Sequence, residues 1–291
     1  MRTLRLASAL GAGFACGLVL GCSAPAHAPS PTAGIRSTRP ALATPRRAQI
    51  LLGRSVGGRH IRAFEAGGAP TDPVVLVIGC IHGNEPAGIA VVRRLQALPP
   101  TPGVQLWSVP NLNPDGVHAG TRQNANGVDL NRNFPFRWQP IGVPGDQQYS
   151  GPHALSEPES RIAYRLILRL RPRVTIWFHQ PLGVVDESGG SPQIERRFAR
   201  QAMLPLRRLP RYPGSAVGWQ NHQLAGTTAF VVELPAGALA AAQVNRLAGA
   251  VEDLALHLVH LTRSANAEVF RPRWRRDLGV ASTHGARRPA S

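Results

Sequence analysis

An α/β fold, with a mixed but mostly parallel central β-sheet flanked by helices on both faces, is what the sequence predicts, and three observations carry it. Continuous apolar runs such as Val74-Val75-Leu76-Val77-Ile78 have no polar alternate face, the pattern of strands buried on both sides. Segments with apolar residues three and four apart separate these runs, as helical crossovers between parallel strands require. Finally, 291 residues with 43% hydrophobic and 17% charged content can bury a full core and do not match a disordered chain.

Taken in order, Ile50-Leu51-Leu52, Gly57-Gly58 and the alternating Ile61-Arg62-Ala63-Phe64 predict an edge hairpin. The buried run at 74–78 follows. Pro86 then opens a helix through about Leu98, with Ile89, Val92 and Leu95 at helical spacing, since proline is tolerated in a first turn. Residues 104–109 form a strand. The stretches 111–132 and 133–156 are long, polar and rich in Gly and Pro, and loops of that length usually carry function. Ser156-Glu157-Pro158-Glu159 reads as a capping box for a helix whose Ile162, Leu166, Ile167 and Leu170 face the core. Strands at 174–179 and 228–233 come next, and Val244, Leu247, Val251, Leu254, Leu258 and Leu261 mark a closing helix. No internal repeat is present.

The ends read differently. Arg2 and Arg5 precede a short apolar run over 6–20, which makes residues 1–22 a secretory signal rather than a membrane span. Val19-Leu20-Gly21-Cys22 resembles a lipobox with Cys22 as the lipidated residue, although leucine at its second position departs from the commonest pattern. The competing site, Ala26-His27-Ala28, is followed by Pro29, so lipidation is preferred to simple secretion. One acyl chain anchors only marginally, so a stable anchor needs several. Residues 23–46, dominated by Ala, Pro, Ser and Thr, form a tether. The catalytic domain spans 47–262, and 263–291, with seven arginines against two acids, is expected to be a disordered basic tail.

The net charge of +17 comes from 33 basic residues, all arginine, against 16 acids. They are scattered, without an aromatic-interleaved module, which argues against nucleic acid; an anionic wall or membrane surface suits such a charge. Of the cysteines, Cys16 leaves with the signal and Cys22 takes lipid, so Cys80 stands alone as a small buried hydrophobe.

Chemistry concentrates in two motifs. His82-Gly83-Asn84-Glu85 offers an imidazole and a carboxylate where a strand turns into a helix, positioned to meet one divalent metal such as zinc. Asp129-Leu130-Asn131-Arg132-Asn133-Phe134 sets an amide beside a guanidinium, a clamp for a substrate carboxylate. A catalytic zinc needs a third protein ligand. His179 is the best candidate, because it ends a strand at the same sheet edge, where open α/β sheets build their sites. Glu233 ends another apolar strand, and desolvation there would raise its pKa into a range suited to proton transfer.

These segments resemble the zinc carboxypeptidase family, and within it the murein peptide amidases and related bacterial γ-glutamyl-diamino acid hydrolases. The resemblance runs over about 52–261 and includes, in order, the His82 and Asp129 motifs, Asn113-Pro114-Asp115-Gly116, Tyr149 with Gly151, the Ser156 motif, Phe178-His179-Gln180 and Glu233-Leu234-Pro235. It implies a zinc-carboxypeptidase-like α/β/α sandwich in which His82, Glu85 and His179 hold one zinc and Glu233 is the general base. It further implies that Arg122 stabilises the oxyanion, that Asn131 and Arg132 grip the free carboxylate of the leaving part, and that Tyr212 is the flexible active-site tyrosine.

Within the family, a compact domain with one cysteine and an envelope address points to murein peptides, cut at γ-D-Glu–diaminopimelate. Asp186, with Glu187, would receive the amine at the far end of that residue. The expected partners are the murein peptide and, through the N-terminal lipid, a membrane, with the chain acting as a monomer in the cell envelope. The alternatives are a general carboxypeptidase, an aspartoacylase-like or succinylglutamate desuccinylase-like amidohydrolase and, from another class, a non-catalytic wall-binding lipoprotein.

Overall fold

The computed structural model describes residues 46–269. The signal, Cys22, the tether apart from its last residue and the tail from 270 onward lie outside the described residues.

The expected edge hairpin is present as β1 (Arg46–Arg54) and β2 (His60–Gly67). Its first strand begins four residues before Ile50 and so takes in the last residue assigned to the tether. β3 (Val74–Ile78) is buried at all five positions. It is followed by α1 (Ala87–Ala97), β4 (Gln105–Val109), α2 (Pro114–Ala119) and α3 (Pro158–Leu170). The second half of the chain holds β5 (Val174–His179), β6 (Leu182–Asp186), α4 (Pro192–Ala202), the two-residue β7 (Leu206–Arg207), α5 (Ala216–Gln223), β8 (Thr228–Pro235) and α6 (Ala241–Val269).

These strands make one eight-stranded sheet in the order β1-β2-β4-β3-β5-β8-β6-β7. The centre, from β4 through β3 and β5 to β8, is parallel. β1, β2 and β6 run antiparallel to their inner neighbours. Side chains alternate across the pleat, so Val75 and Val77 of β3 enter a core with α1, α4 and α6, while Leu76 and Ile78 enter a second core with α3 and α5. Both faces of the sheet are therefore covered.

Two local readings are corrected. Ser156 does not close a capping box: α3 starts with Pro158 after an N-cap at Glu157 that makes no side-chain cap bond. Ser156 Oγ donates to Glu157 Oε1 at 2.7 Å, and Glu159 accepts from Val56 N at 3.0 Å and Asn124 Nδ2 at 3.0 Å. The buried loop donors outcompete the helix end for both side chains. At the other end, α6 continues to Val269, seven residues past the boundary expected at 262, because helix-forming Ala, Arg and Glu carry it on without a breaker.

Topology fixes where the site lies. The chain leaves β3 for β4 on one side and later returns to β5 on the other. That reversal opens a crevice beyond the carboxyl ends of β3 and β5.

Candidate metal centre

At this crevice, the turn from β3 into α1 carries His82 and Glu85, and the last residue of β5 is His179. All three are buried. Gly83 lets the turn lie directly against α2, for a Cβ there would collide with the backbone of Gly116. Gln180 ties the corner together: its side chain accepts from Ala87 N at 3.0 Å and donates to the carbonyls of Pro235 and Gly237, both at 2.8 Å.

Three electronegative atoms converge. His179 Nδ1 lies 3.1 Å from His82 Nδ1 and 2.9 Å from Glu85 Oε2, and His82 Nδ1 is 3.0 Å from the same oxygen. Tetrahedral bonds of 2.0 to 2.1 Å would set ligand atoms ~3.3 Å apart, so the trio fits a zinc ion. The protonation pattern fits as well. His82 Nε2 lies 3.0 Å from Asp129 Oδ1, a carboxylate that can only accept, so this nitrogen carries the proton and Nδ1 turns its lone pair to the trio. A second carboxylate orienting a ligand imidazole in this way is the usual outer support of a zinc site.

Burial alone would raise Glu85 and Asp129, but hydrogen bonds and charge from His179 and His82 hold Glu85 far below the carboxylate range, and His82 and Arg122 do the same for Asp129. Burial opposes charge on His82, yet Asp129 and Glu85 outweigh it and raise its pKa. Both carboxylates are thus anionic and ready for a cation.

The expected base stands beside the trio. Register pairs Glu233 of β8 with His179 of β5, and burial, reinforced by Glu85 and opposed by His179, raises its carboxyl pKa. Glu233 Oε2 is buried without a partner. It lines an open cavity together with the three metal-site residues.

The remaining expected residues line the same cavity. Arg122 donates Nη1 to Glu85 Oε1 at 2.9 Å and Nε to Asp129 Oδ2 at 3.0 Å. Asn113, through Nδ2, holds the carbonyl of Gln123 at 3.2 Å beside it. Asn131 Oδ1 accepts from Ala216 N at 2.9 Å, which leaves its Nδ2 to donate elsewhere. Arg132 is buried, its Nε has no partner, and its guanidinium lies 4.1 Å from the Tyr212 ring. Asn133 is structural: its Nδ2 bonds Ser150, His153 and Ser156 and pins the long loop.

Asp186 answers differently from expectation. It lines the cavity, but its carboxylate already accepts from Leu209 N at 2.8 Å, Arg211 Nη1 at 2.6 Å and Ser188 Oγ at 2.7 Å. Glu187 contributes its backbone carbonyl to Arg211 and is absent from the cavity lining. The Asp186 carboxylate is thus occupied mainly in holding this loop. The residue presented there is Arg211, which sequence reading missed because its partner lies 25 positions away.

Asp129 gains a role of its own that the motif by itself does not announce. Cys80 behaves as expected: its Sγ donates to the His82 carbonyl at 3.1 Å, and burial, with Glu85, pushes the thiol up to about 12.

The chain is similar to known proteins. The zinc carboxypeptidase family profile matches residues 103–184. Murein peptide amidase A of Escherichia coli K12 is 33% identical over 182 residues, 57% of this chain and 74% of that protein. The Vibrio campbellii protein of the same name is 31% identical over 196 residues, 63% of this chain and 77% of its own length. The crystal structure of murein-tripeptide amidase from Escherichia coli O157 superposes with a TM-score of 0.58 at 26% identity, covering 75% of this chain and 94% of that one.

Proposed function

The chain belongs to the zinc carboxypeptidase family and is a zinc-dependent hydrolase, and from that premise we propose that it hydrolyses an amide bond in murein peptides, between γ-D-glutamate and diaminopimelate. One observation carries the reading. A His-Glu-His trio able to hold a metal opens onto the same cavity as Glu233, whose Oε2 is buried and unpartnered, and a buried guanidinium, Arg132, whose Nε is unpartnered.

In this reading His82, Glu85 and His179 hold the ion, with Asp129 orienting His82. When bound, zinc supplies Lewis acidity and lowers the pKa of a water to about 7. Glu233 accepts the proton of the attacking water and delivers it to the departing amine nitrogen, a role suited to a carboxylate with a raised pKa. Arg122, fixed by Glu85 and Asp129, faces the negative charge that develops on the carbonyl oxygen. Asn131 Nδ2 and the Arg132 guanidinium hold the carboxylate beside the scissile nitrogen. Tyr212, stacked on Arg132, covers that clamp.

The address is part of the proposal. The lipobox reading makes acylated Cys22 the first residue of the mature chain and the outer face of a membrane its location, close to wall peptides. A soluble mature form beginning near Pro29 would remove this part alone.

The test of the activity is direct. Zinc-loaded protein incubated with L-Ala-γ-D-Glu-diaminopimelate should release free diaminopimelate and L-Ala-D-Glu, identified by mass spectrometry, and chelation should stop it. Removal of ordinary C-terminal L-residues with no γ-glutamyl cleavage would return the chain to the general carboxypeptidases.

A further inference from the structure

We propose that Arg211 is a specificity-determining residue that binds a second carboxylate, at the far end of the residue whose near carboxylate is held by Asn131 and Arg132. The inference rests on the γ-glutamyl-diamino acid reading above.

Three guanidinium groups line the cavity, and their surroundings separate them. Arg122 is held at the metal corner by Glu85 and Asp129, where it faces the carbonyl oxygen. Arg132 is buried beneath Tyr212. Arg211 differs from both, because its side chain is 40% exposed and yet held from behind by buried Asp186 and the Glu187 carbonyl.

An arginine carries five N–H donors, and these two acceptors take two of them. The rest are available to the cavity. Asp186 is itself fixed by Leu209 N and Ser188 Oγ, so the fork is oriented before any ligand arrives, and less ordering entropy is lost on binding. Such a planar fork matches a carboxylate bidentately.

The structure thus supplies a cation at this wall where sequence reading expected an acid. A residue ending in an amine alone, such as lysine, would meet that cation with like charge. A residue ending in an amino acid head group, as diaminopimelate does, offers it a carboxylate.

The experiment compares kcat/KM of the zinc-loaded protein on three peptides: L-Ala-γ-D-Glu-diaminopimelate, the same peptide amidated only at the far carboxylate, and L-Ala-γ-D-Glu-L-Lys. A charge-assisted pair makes the free acid the better substrate by roughly ten- to a hundredfold over either of the others. In Arg211→Gln that ratio collapses toward one, which a merely structural role for Arg211 would not produce.

Equal wild-type rates on the free and amidated peptides would overturn the assignment without needing any variant, as would a ratio that persists in Arg211→Gln. Both results leave γ-glutamyl cleavage standing. Absence of cleavage from all three peptides, with ordinary C-terminal residues removed, would instead sink the substrate reading and this assignment with it.

Discussion

At the strand-end corner of the cavity, Glu85 and Asp129 are met by His82, His179 and Arg122 and are held charged well below the carboxylate range. Behind the opposite wall, Glu195 of α4 meets only the backbone N–H groups of Ser188 and Gly190, near Asp186 and Glu187, and its carboxyl is pushed up to about 7, chiefly by burial. Both places bury acid in one small domain. The difference lies in the partners, because burial raises a carboxyl pKa wherever cations do not outweigh it. The corner is organised around positive charge that is to come, and the wall around positioning a single exposed arginine.

The largest expected effect breaks the corner's chemistry while keeping its shape. Glu233→Gln preserves size and polarity but cannot accept a proton, so kcat should fall by roughly two to four orders of magnitude. Zinc content, read by elemental analysis, should stay at about one ion per chain, as a site with three protein ligands implies. Turnover near the wild-type value would show that another group takes the proton.

A smaller effect tests the support behind the corner. Asp129→Asn keeps the side-chain volume but removes the charge that fixes His82 Nε2–H and orients Arg122. Zinc affinity, measured by competition with a chelator, should weaken roughly ten- to a hundredfold. An unchanged affinity would make Asp129 a structural acid only and sharpen the corner to its three ligand residues.

How much of this was legible in the sequence follows the same division. β3 and β5 are continuous apolar runs, so their burial on both faces and the residues at their ends could be read from a short window. His82, Glu85, Asp129, His179 and Glu233 each sit on such a strand end or in a compact motif, and Arg122, in the long loop, was reached only through the family resemblance. The wall is built otherwise. Asp186, Ser188, Leu209 and Arg211 meet across as many as 25 positions through hydrogen bonds that no local period announces.

α4, rich in arginine, carries few large apolar residues, and α5 mixes Gly218 with polar neighbours, so neither helix announced itself. The capping box failed for a related reason. Its Glu159 is taken by the backbone of Val56, more than a hundred positions away, and a long-range partner overrode the local signal. Resemblance to the zinc carboxypeptidases identified the corner because that pattern is written in the chain as motifs, while the residues that distinguish this wall stand between them.

The smallest effect concerns stability and separates the two regions by the sign of their pH dependence. For Glu195 the folded pKa, about 7, lies above the ordinary value of 4.5. Below about pH 4.5 the group is protonated in both folded and unfolded chains and contributes no difference. Between pH 4.5 and 7 the unfolded chain has lost a proton that the folded one keeps, so stability falls as pH rises, and above pH 7 the loss is complete. Its size is on the order of 2 kcal/mol, since a tenfold change in proton affinity corresponds to about 1.4 kcal/mol and the folded chain recovers part of the cost by relaxing around the charge.

Glu195→Gln should remove this dependence, because both backbone donors bond Oε1 alone, an acceptor that the amide retains. Thermal unfolding followed by circular dichroism should give equal midpoints for the two proteins near pH 4. Near pH 8 the variant's midpoint should be about 5 °C higher, as the size of the domain implies. Carboxylates such as Glu85 and Asp129, whose pKa values are depressed, act with the opposite sign and lose their contribution only as pH falls. Parallel midpoints for wild type and variant from pH 4 to pH 8 would mean that Glu195 ionises normally, and that the wall, like the corner, balances its buried charge.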